Sequence, residues 1–382
     1  MSARKIAEWH GAGLIDAGTR DRLIAYEAEH ARPLVLWAVW GIGALAIGLG
    51  LVSVVAANWE DIPGLLRLSV HLALIAGLAG LVFLREGRLA DRSPWAVEAL
   101  VFVTAALGLT FFGHLGQVYQ TSSPLWQPLA AWLVLFAPLL LLTGRGWPTA
   151  LVVVGGAVWC AWEYFDAMTG YRISDWGTAW SYWLGTVLAL PIVLALAGGG
   201  MRARSQRPDF WRRMEQLALA YAVALATAAC AYASLGVFGQ QGPLEIGMAT
   251  LGCGGVAVLT GLALVAARPG TSGRMAGSII AGAGLVLMLA PEVDDLDVPA
   301  ALMFMAFWTG IAAAALVAHW RGVFQLAVGV IAARLIILSF ELAADLLTNG
   351  LGLIASGLMI LGVAWAAVRV SKRFAPSSET EA

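Results

Sequence analysis

Three groups of polar residues stand out in a chain that is otherwise mostly hydrocarbon. The first gathers from three short stretches: Asn58 and Trp59 followed by Glu60 and Asp61, Arg67 with His71 four residues on, and His114 with Gln117, Tyr119 and Gln120. Imidazole, amide, indole and guanidinium together can hold a lipid headgroup, a sugar or another small polar ligand. Arg67 would pair an anion and Trp59 would offer a stacking face. The same residues read equally as a helix end capped by Asn, an interfacial Trp and a solvated loop.

The second group is Arg334, Glu341 and Asp345 within LAVGVIAARLIILSFELAADLL. Spacings of seven and four put all three on one helical face. Ionisable groups inside a membrane span are costly and raise a functional question by default. Carboxylates so placed suit a proton or cation relay, and a buried structural ion pair would show the same pattern. The third group is PEVDDLDVP, with Glu292, Asp294, Asp295 and Asp297 in six residues. It has neither the turn glycine nor the downstream Glu of a calcium loop, so it reads as an acidic solvated loop. Glu98 and Glu163 read as interfacial.

Other chemistry is not indicated. Cys160, Cys230 and Cys253 all sit inside apolar runs, so neither a disulfide nor a metal framework is expected. There is no nucleophile elbow, Walker loop, dinucleotide fingerprint or metalloprotease helix, so no catalytic residue, cofactor or metal is assigned, and coupling to ATP bound by this chain is excluded.

The elements that must position these residues are membrane helices. Of 382 residues 60% are hydrophobic and only 12% charged, a balance that a soluble fold of this length does not need. The net charge of -1 gives no support to nucleic-acid binding. About 20 apolar helical residues cross a bilayer core. On that criterion twelve spans are expected, at about 34–57, 65–84, 96–113, 125–143, 148–165, 177–197, 214–236, 244–267, 275–290, 299–318, 323–343 and 350–368. With the N-terminus inside, 20 of the 23 Lys and Arg residues fall in inner segments, and only Arg67, Arg172 and Arg334 do not. Short cytoplasmic loops hold such residues, so both termini are expected on the cytoplasmic side. Backbone groups cannot stay unpaired in lipid, so the fold class is an all-α polytopic bundle. Glycines spread through the spans, as in GIGALAIGLG, let helices approach closely.

The expected organisation is a cytoplasmic amphipathic helical hairpin at 1–33, a first membrane half of six spans at 34–197, a basic cytoplasmic loop at 198–213, a second half at 214–368 and a tail at 369–382. The hairpin would break at Gly11 to Gly13, with Asp16 or Thr19 capping its second helix. It could dock a protein partner or lie on the inner leaflet.

The run GLGLVSVVAANW, Gly48 to Trp59, followed by Ile62-Pro63 and a span opening with Arg67-Leu68, resembles the bacterial multi-spanning proteins of domain of unknown function 2157. The GLID turn at Gly13 to Asp16 and the QVYQ stretch at Gln117 to Gln120, leading into Leu125-Trp126, follow the same family order. The resemblance covers about residues 1–145. It implies a bacterial inner-membrane location and no assigned activity.

Three functions compete on these residues. A secondary transporter, or a translocator of lipids or small molecules, suits twelve spans divided six and six around RARSQRPDFWRR. GRLADR, Gly87 to Arg92, is similar to the start of the major-facilitator loop signature but departs at Ser93-Pro94. A non-transporting scaffold or sensor needs only the hairpin and an outward polar cluster. An envelope transferase acting on a lipid-linked substrate would need His71 and His114 with Glu60 or Asp61 as its acid and base. Membrane lipids are partners under all three.

Overall fold

The computed structural model describes residues 9–29, 62–170, 177–239, 244–268 and 270–342, with single positions at 6, 46, 358, 362, 365 and 369. The expected first and twelfth spans therefore lie outside the described residues, apart from those single positions. The chain forms two compact units, Met1–Arg67 and Leu68–Ala382.

In the first unit a helical turn at 9–11 ends in a Schellman motif. Gly13 takes φ +71°, its amide donates to the His10 carbonyl (3.1 Å), and the Leu14 amide donates to Trp9 (3.0 Å). Helix α1, Ala17–Glu29, then starts under an Asp16 cap, with the Thr19 amide donating to Oδ1 at 2.6 Å. The break at Gly11 to Gly13 is where the sequence puts it, and of the two expected caps Asp16 is used. Of the apolar residues in this stretch, Ile6 is buried and Trp9, Ile15 and Leu23 are half-buried, while Leu14, Ile24 and Tyr26 are exposed.

The second unit is helical throughout, with no strand among the described residues. Its helices are α2 (Gly64–Arg92, which starts at the unit boundary), α3 (Pro94–Tyr119), α4 (Trp126–Thr143), α5 (Trp147–Thr169) and α6 (Gly177–Arg202). They continue with α7 (Pro208–Ser234), α8 (Ile246–Ala267), α9 (Thr271–Leu289), a 3-10 turn at Ala290–Val293, α10 (Asp297–Val317) and α11 (Arg321–Leu342). Nine of the described helices, α2 to α10, are long and apolar enough to cross a membrane, and α11 coincides with the eleventh expected span. Proline sits in the first turn of α3, α5 and α7, where its missing N–H costs nothing and its fixed φ favours the helix.

Several helices run past the expected boundaries. α3 continues to Tyr119, so Gln117 and Tyr119 lie on its last turn, and Gln120 closes it with φ +49°. GRLADR belongs to α2 and is not a loop. Of the expected loop 198–213, α6 takes residues up to Arg202 and α7 begins at Pro208.

Large apolar side chains such as Phe83, Leu84, Val134 and Leu302 face outward, while alanine is the commonest buried residue, packed with larger side chains such as Leu184, Ile192 and Phe210. This is the arrangement of a protein whose surroundings are as apolar as leucine, leaving close packing to hold the helices together. α7 is the central post and packs on α5, α6, α9 and α10. Its stripe Ala218, Ala222, Ala226, Ala229 and Ala233 is buried at helical spacing. α8 packs most closely on α6 and α9. A Cβ on Gly254 would lie 2.6 Å from the Gly284 carbonyl, and one on Gly284 would lie 2.6 Å from the Gly254 carbonyl. One on Gly261 would lie 2.5 Å from the Gly277 carbonyl, so two glycine pairs seven residues apart bring α8 and α9 together backbone to backbone. Gly185 and Gly252 do the same between α6 and α8.

Candidate functional site

α3 presents two different faces as it nears its C-terminus. Leu107, Thr110, Phe111 and His114 recur at helical spacing toward α2, and Leu109, Phe112, Gly113 and Gly116 recur toward α4 and α5. The sequence groups these residues as one cluster. The structure separates them into a histidine pair and a cavity.

His71 of α2 and His114 of α3 meet with Nδ1 atoms 3.4 Å apart, and His71 Nε2 is 3.0 Å from the Leu107 carbonyl oxygen. A carbonyl can only accept, so Nε2 of His71 carries a proton. Of the two facing Nδ1 atoms, one must then hold a proton and the other a lone pair. The ring centroids lie 5.7 Å apart, close to the N···N distance plus two ring radii, so the nitrogens meet head-on. His114 is buried, His71 is half-buried, and Phe111 stands edge-on to His71 at 5.4 Å.

The cavity on the other face is an open one of about 670 Å³ between α3, α4 and α5, within the roughly 300–1,000 Å³ of small-molecule sites. Leu109, Phe112, Leu129 and Trp159 give it apolar walls, and Gln117, Gln127 and the Thr121 to Ser123 loop give it polar ones. The frame is held by specific contacts. The Trp132 indole N–H donates to the Ala105 carbonyl (2.8 Å), joining α4 to α3. Trp126 stands edge-on to Tyr164 (5.2 Å), and the Cys160 thiol donates to the Trp126 carbonyl (3.6 Å), joining α4 to α5. The Trp159 indole N–H donates to Glu163 Oε1 at 2.9 Å in its own helix.

Of the eight residues expected in this cluster, His71 and His114 meet each other, Gln117 lines the cavity, and Tyr119 and Gln120 are exposed at the end of α3. Arg67 lies in the first unit, its amide bonded to the Pro63 carbonyl (3.1 Å). Asn58 and Trp59 lie outside the described residues.

At the opposite ends of these helices lies an arginine-rich face built around two buried carboxylates. Glu98 of α3 accepts from the Arg145 amide (2.9 Å), the Thr149 amide (3.0 Å) and the Thr149 hydroxyl (2.7 Å). It is the acidic cap of α5, placed where the helix dipole favours an anion. Arg145 in turn pairs with Glu86 of α2. Arg207, just before α7, donates to the carbonyls of Gly144 (2.7 Å) and Leu141 (2.8 Å) that end α4. Desolvation lowers the Arg207 pKa, and the guanidinium stays charged nonetheless. Glu215 of α7 pairs with Arg268 beyond α8 and with Arg202 of α6 at 3.6 Å. Glu98 is thus a buried cap where the sequence suggested an interfacial residue, and Glu215 was not singled out at all. Glu98 has no basic residue three or four positions away, a local sign that its partners lie elsewhere in the chain.

Arg334 of α11 lies 3.5 Å from the Ser234 hydroxyl at the end of α7, so it reaches another helix. Asp345 and the side chain of Glu341 lie outside the described residues. In the acidic loop, Asp294 accepts from the Phe238 and Gly239 amides (3.1 and 2.6 Å), and the Asp295 amide donates to the Ala233 carbonyl (2.9 Å). Those carboxylate oxygens close the turn after α7, and no group of three or more metal-ligating side chains occurs among the described residues.

Residues 7–149 match the model of a family described as predicted membrane protein, domain of unknown function 2157. That segment contains the histidine pair, the cavity walls contributed by α3 and α4, and the Glu98 cap. No curated protein and no solved structure matches the chain.

Proposed function

We propose that this membrane protein is a ligand-binding protein, a sensor or scaffold whose cavity between α3, α4 and α5 holds a small amphiphilic molecule. The observation that carries the reading is the cavity itself: lined by apolar side chains together with amides and hydroxyls, and framed largely by the segment shared with the family. Passage through the bundle is less well supported, because α6, α8 and α9 meet backbone to backbone at their glycines. We further read the chain as twelve spans in a bacterial inner membrane, with the arginine-rich face and both termini on the cytoplasmic side. The distribution of Lys and Arg supports that orientation. The cavity then opens toward the outer face.

Gly113 supplies the test. It lines the cavity and a Cβ there meets nothing within 4 Å, so Gly113→Phe should take up part of that space. Mass spectrometry of the small molecules that co-purify with wild type and with this variant should show at least one species lost from the variant. Identical profiles would overturn the reading. Translocation remains the second reading, favoured by the half-buried charge of Arg334; it would be supported by ligand flux in proteoliposomes that Arg334→Ala abolishes.

A further inference from the structure

We propose that the amphiphile taken by this cavity carries an uncharged sugar headgroup: an alkyl glycoside or a neutral glycolipid. The proposal rests on the reading of the cavity as a ligand site. None of its described lining residues is charged, although charged side chains are plentiful elsewhere on the helix ends. A phosphate, sulfate or ammonium head entering it would find no counter-charge among those residues. Glutamine amides and hydroxyls, by contrast, both donate and accept, which is what a ring of sugar hydroxyls requires. Gln117 and Gln127 supply two such amides from different helices, and the Thr121 to Ser123 loop adds three adjacent hydroxyls.

Trp159 provides the third element. Its indole N–H is tied to Glu163, so the ring is held by its edge and its face is left for contact; the residue is 45% exposed. A flat aromatic face beside fixed hydrogen-bonding groups suits the apolar C–H side of a pyranose, since aromatic rings supply large contact area at little entropic cost. Leu109, Phe112 and Leu129 continue the apolar wall for the first carbons of a tail.

The test uses the full chain in phosphatidylcholine nanodiscs and four probes sharing one diazirine-bearing octyl chain: the β-glucoside, the sulfate, the trimethylammonium and the simple alcohol. After photolysis, label is located by peptide mass spectrometry. The glucoside should label residues 109–131 about tenfold more than either charged probe, and Gly113→Phe should remove that label. Gln117→Ala with Gln127→Ala should reduce glucoside labelling about tenfold, the worth of two hydrogen bonds, and leave labelling by the alcohol unchanged. Charged probes that label as strongly as the glucoside, with Gly113→Phe still blocking them, would overturn the sugar assignment and leave the cavity as a binding site. Labelling by every probe that ignores Gly113→Phe would overturn both.

Discussion

Glu98 shows how much one side chain can do in this fold. It satisfies the Arg145 and Thr149 amides that begin α5, together with the Thr149 hydroxyl. A buried donor left without its partner costs about 1–3 kcal/mol. Glu98→Gln keeps the shape, removes the charge and turns one accepting oxygen into a donor facing donors. It should lower stability by about 1–3 kcal/mol, read as a lower midpoint in detergent-solubilised thermal unfolding; an unchanged midpoint would contradict the cap. Asp16 caps α1 in the same manner but in solvent. The Thr19 amide that donates to it holds its carboxyl below the ordinary value of 3.8. A lowered folded-state pKa means that the cap contributes fully above the unfolded value and is lost as pH falls through the folded one. Helical 13C shifts over 17–29 should therefore weaken as pH falls from 5 to about 2. Asp16→Asn, which caps without titrating, should remove that dependence. Asp16 was legible because a helix cap is local in sequence. Glu98 was not, since its partners lie 47 and 51 positions away and depend on how α3 is rotated against α5.

At the scale of elements, hydropathy located α2 to α11, because hydrocarbon length alone decides what spans a bilayer. It could not say which faces meet. His71, His114 and Gln117 were read as one cluster, yet the two histidines meet each other while Gln117 lines the cavity on the other face of α3. Glycine was expected to allow close approach, and α8 shows where it does. A side chain on Gly261 would enter the α9 backbone, whereas one on Gly310 of α10 meets nothing within 4 Å. Gly261→Leu should therefore cost about 3 kcal/mol or more in overpacking. Gly310→Leu should leave the unfolding midpoint unchanged or slightly higher, since leucine favours helix over glycine. Equal effects from the two substitutions, measured side by side, would argue against the α8 to α9 contact as the glue of the bundle.

For the whole molecule, the sidedness of charge is the main property still to be measured directly. With the native cysteines replaced, a single cysteine at Ser122 should react with a membrane-impermeant maleimide in intact cells, and one at Arg204 should react only after permeabilisation. The reverse result would invert the proposed orientation, and with it the side from which the cavity fills. The turn between α4 and α5 is gripped from both directions: Glu98 holds amides at the start of α5, and Arg207 holds the carbonyls that end α4. These two clamps are not synthesised together. Glu98 precedes the turn in the chain, so α5 can be capped as soon as it emerges. Arg207 follows only after the whole of α6 has been made, and until then the end of α4 lacks its cation. The α4 end of this hairpin thus depends on a residue translated some sixty positions later, beyond a further helix.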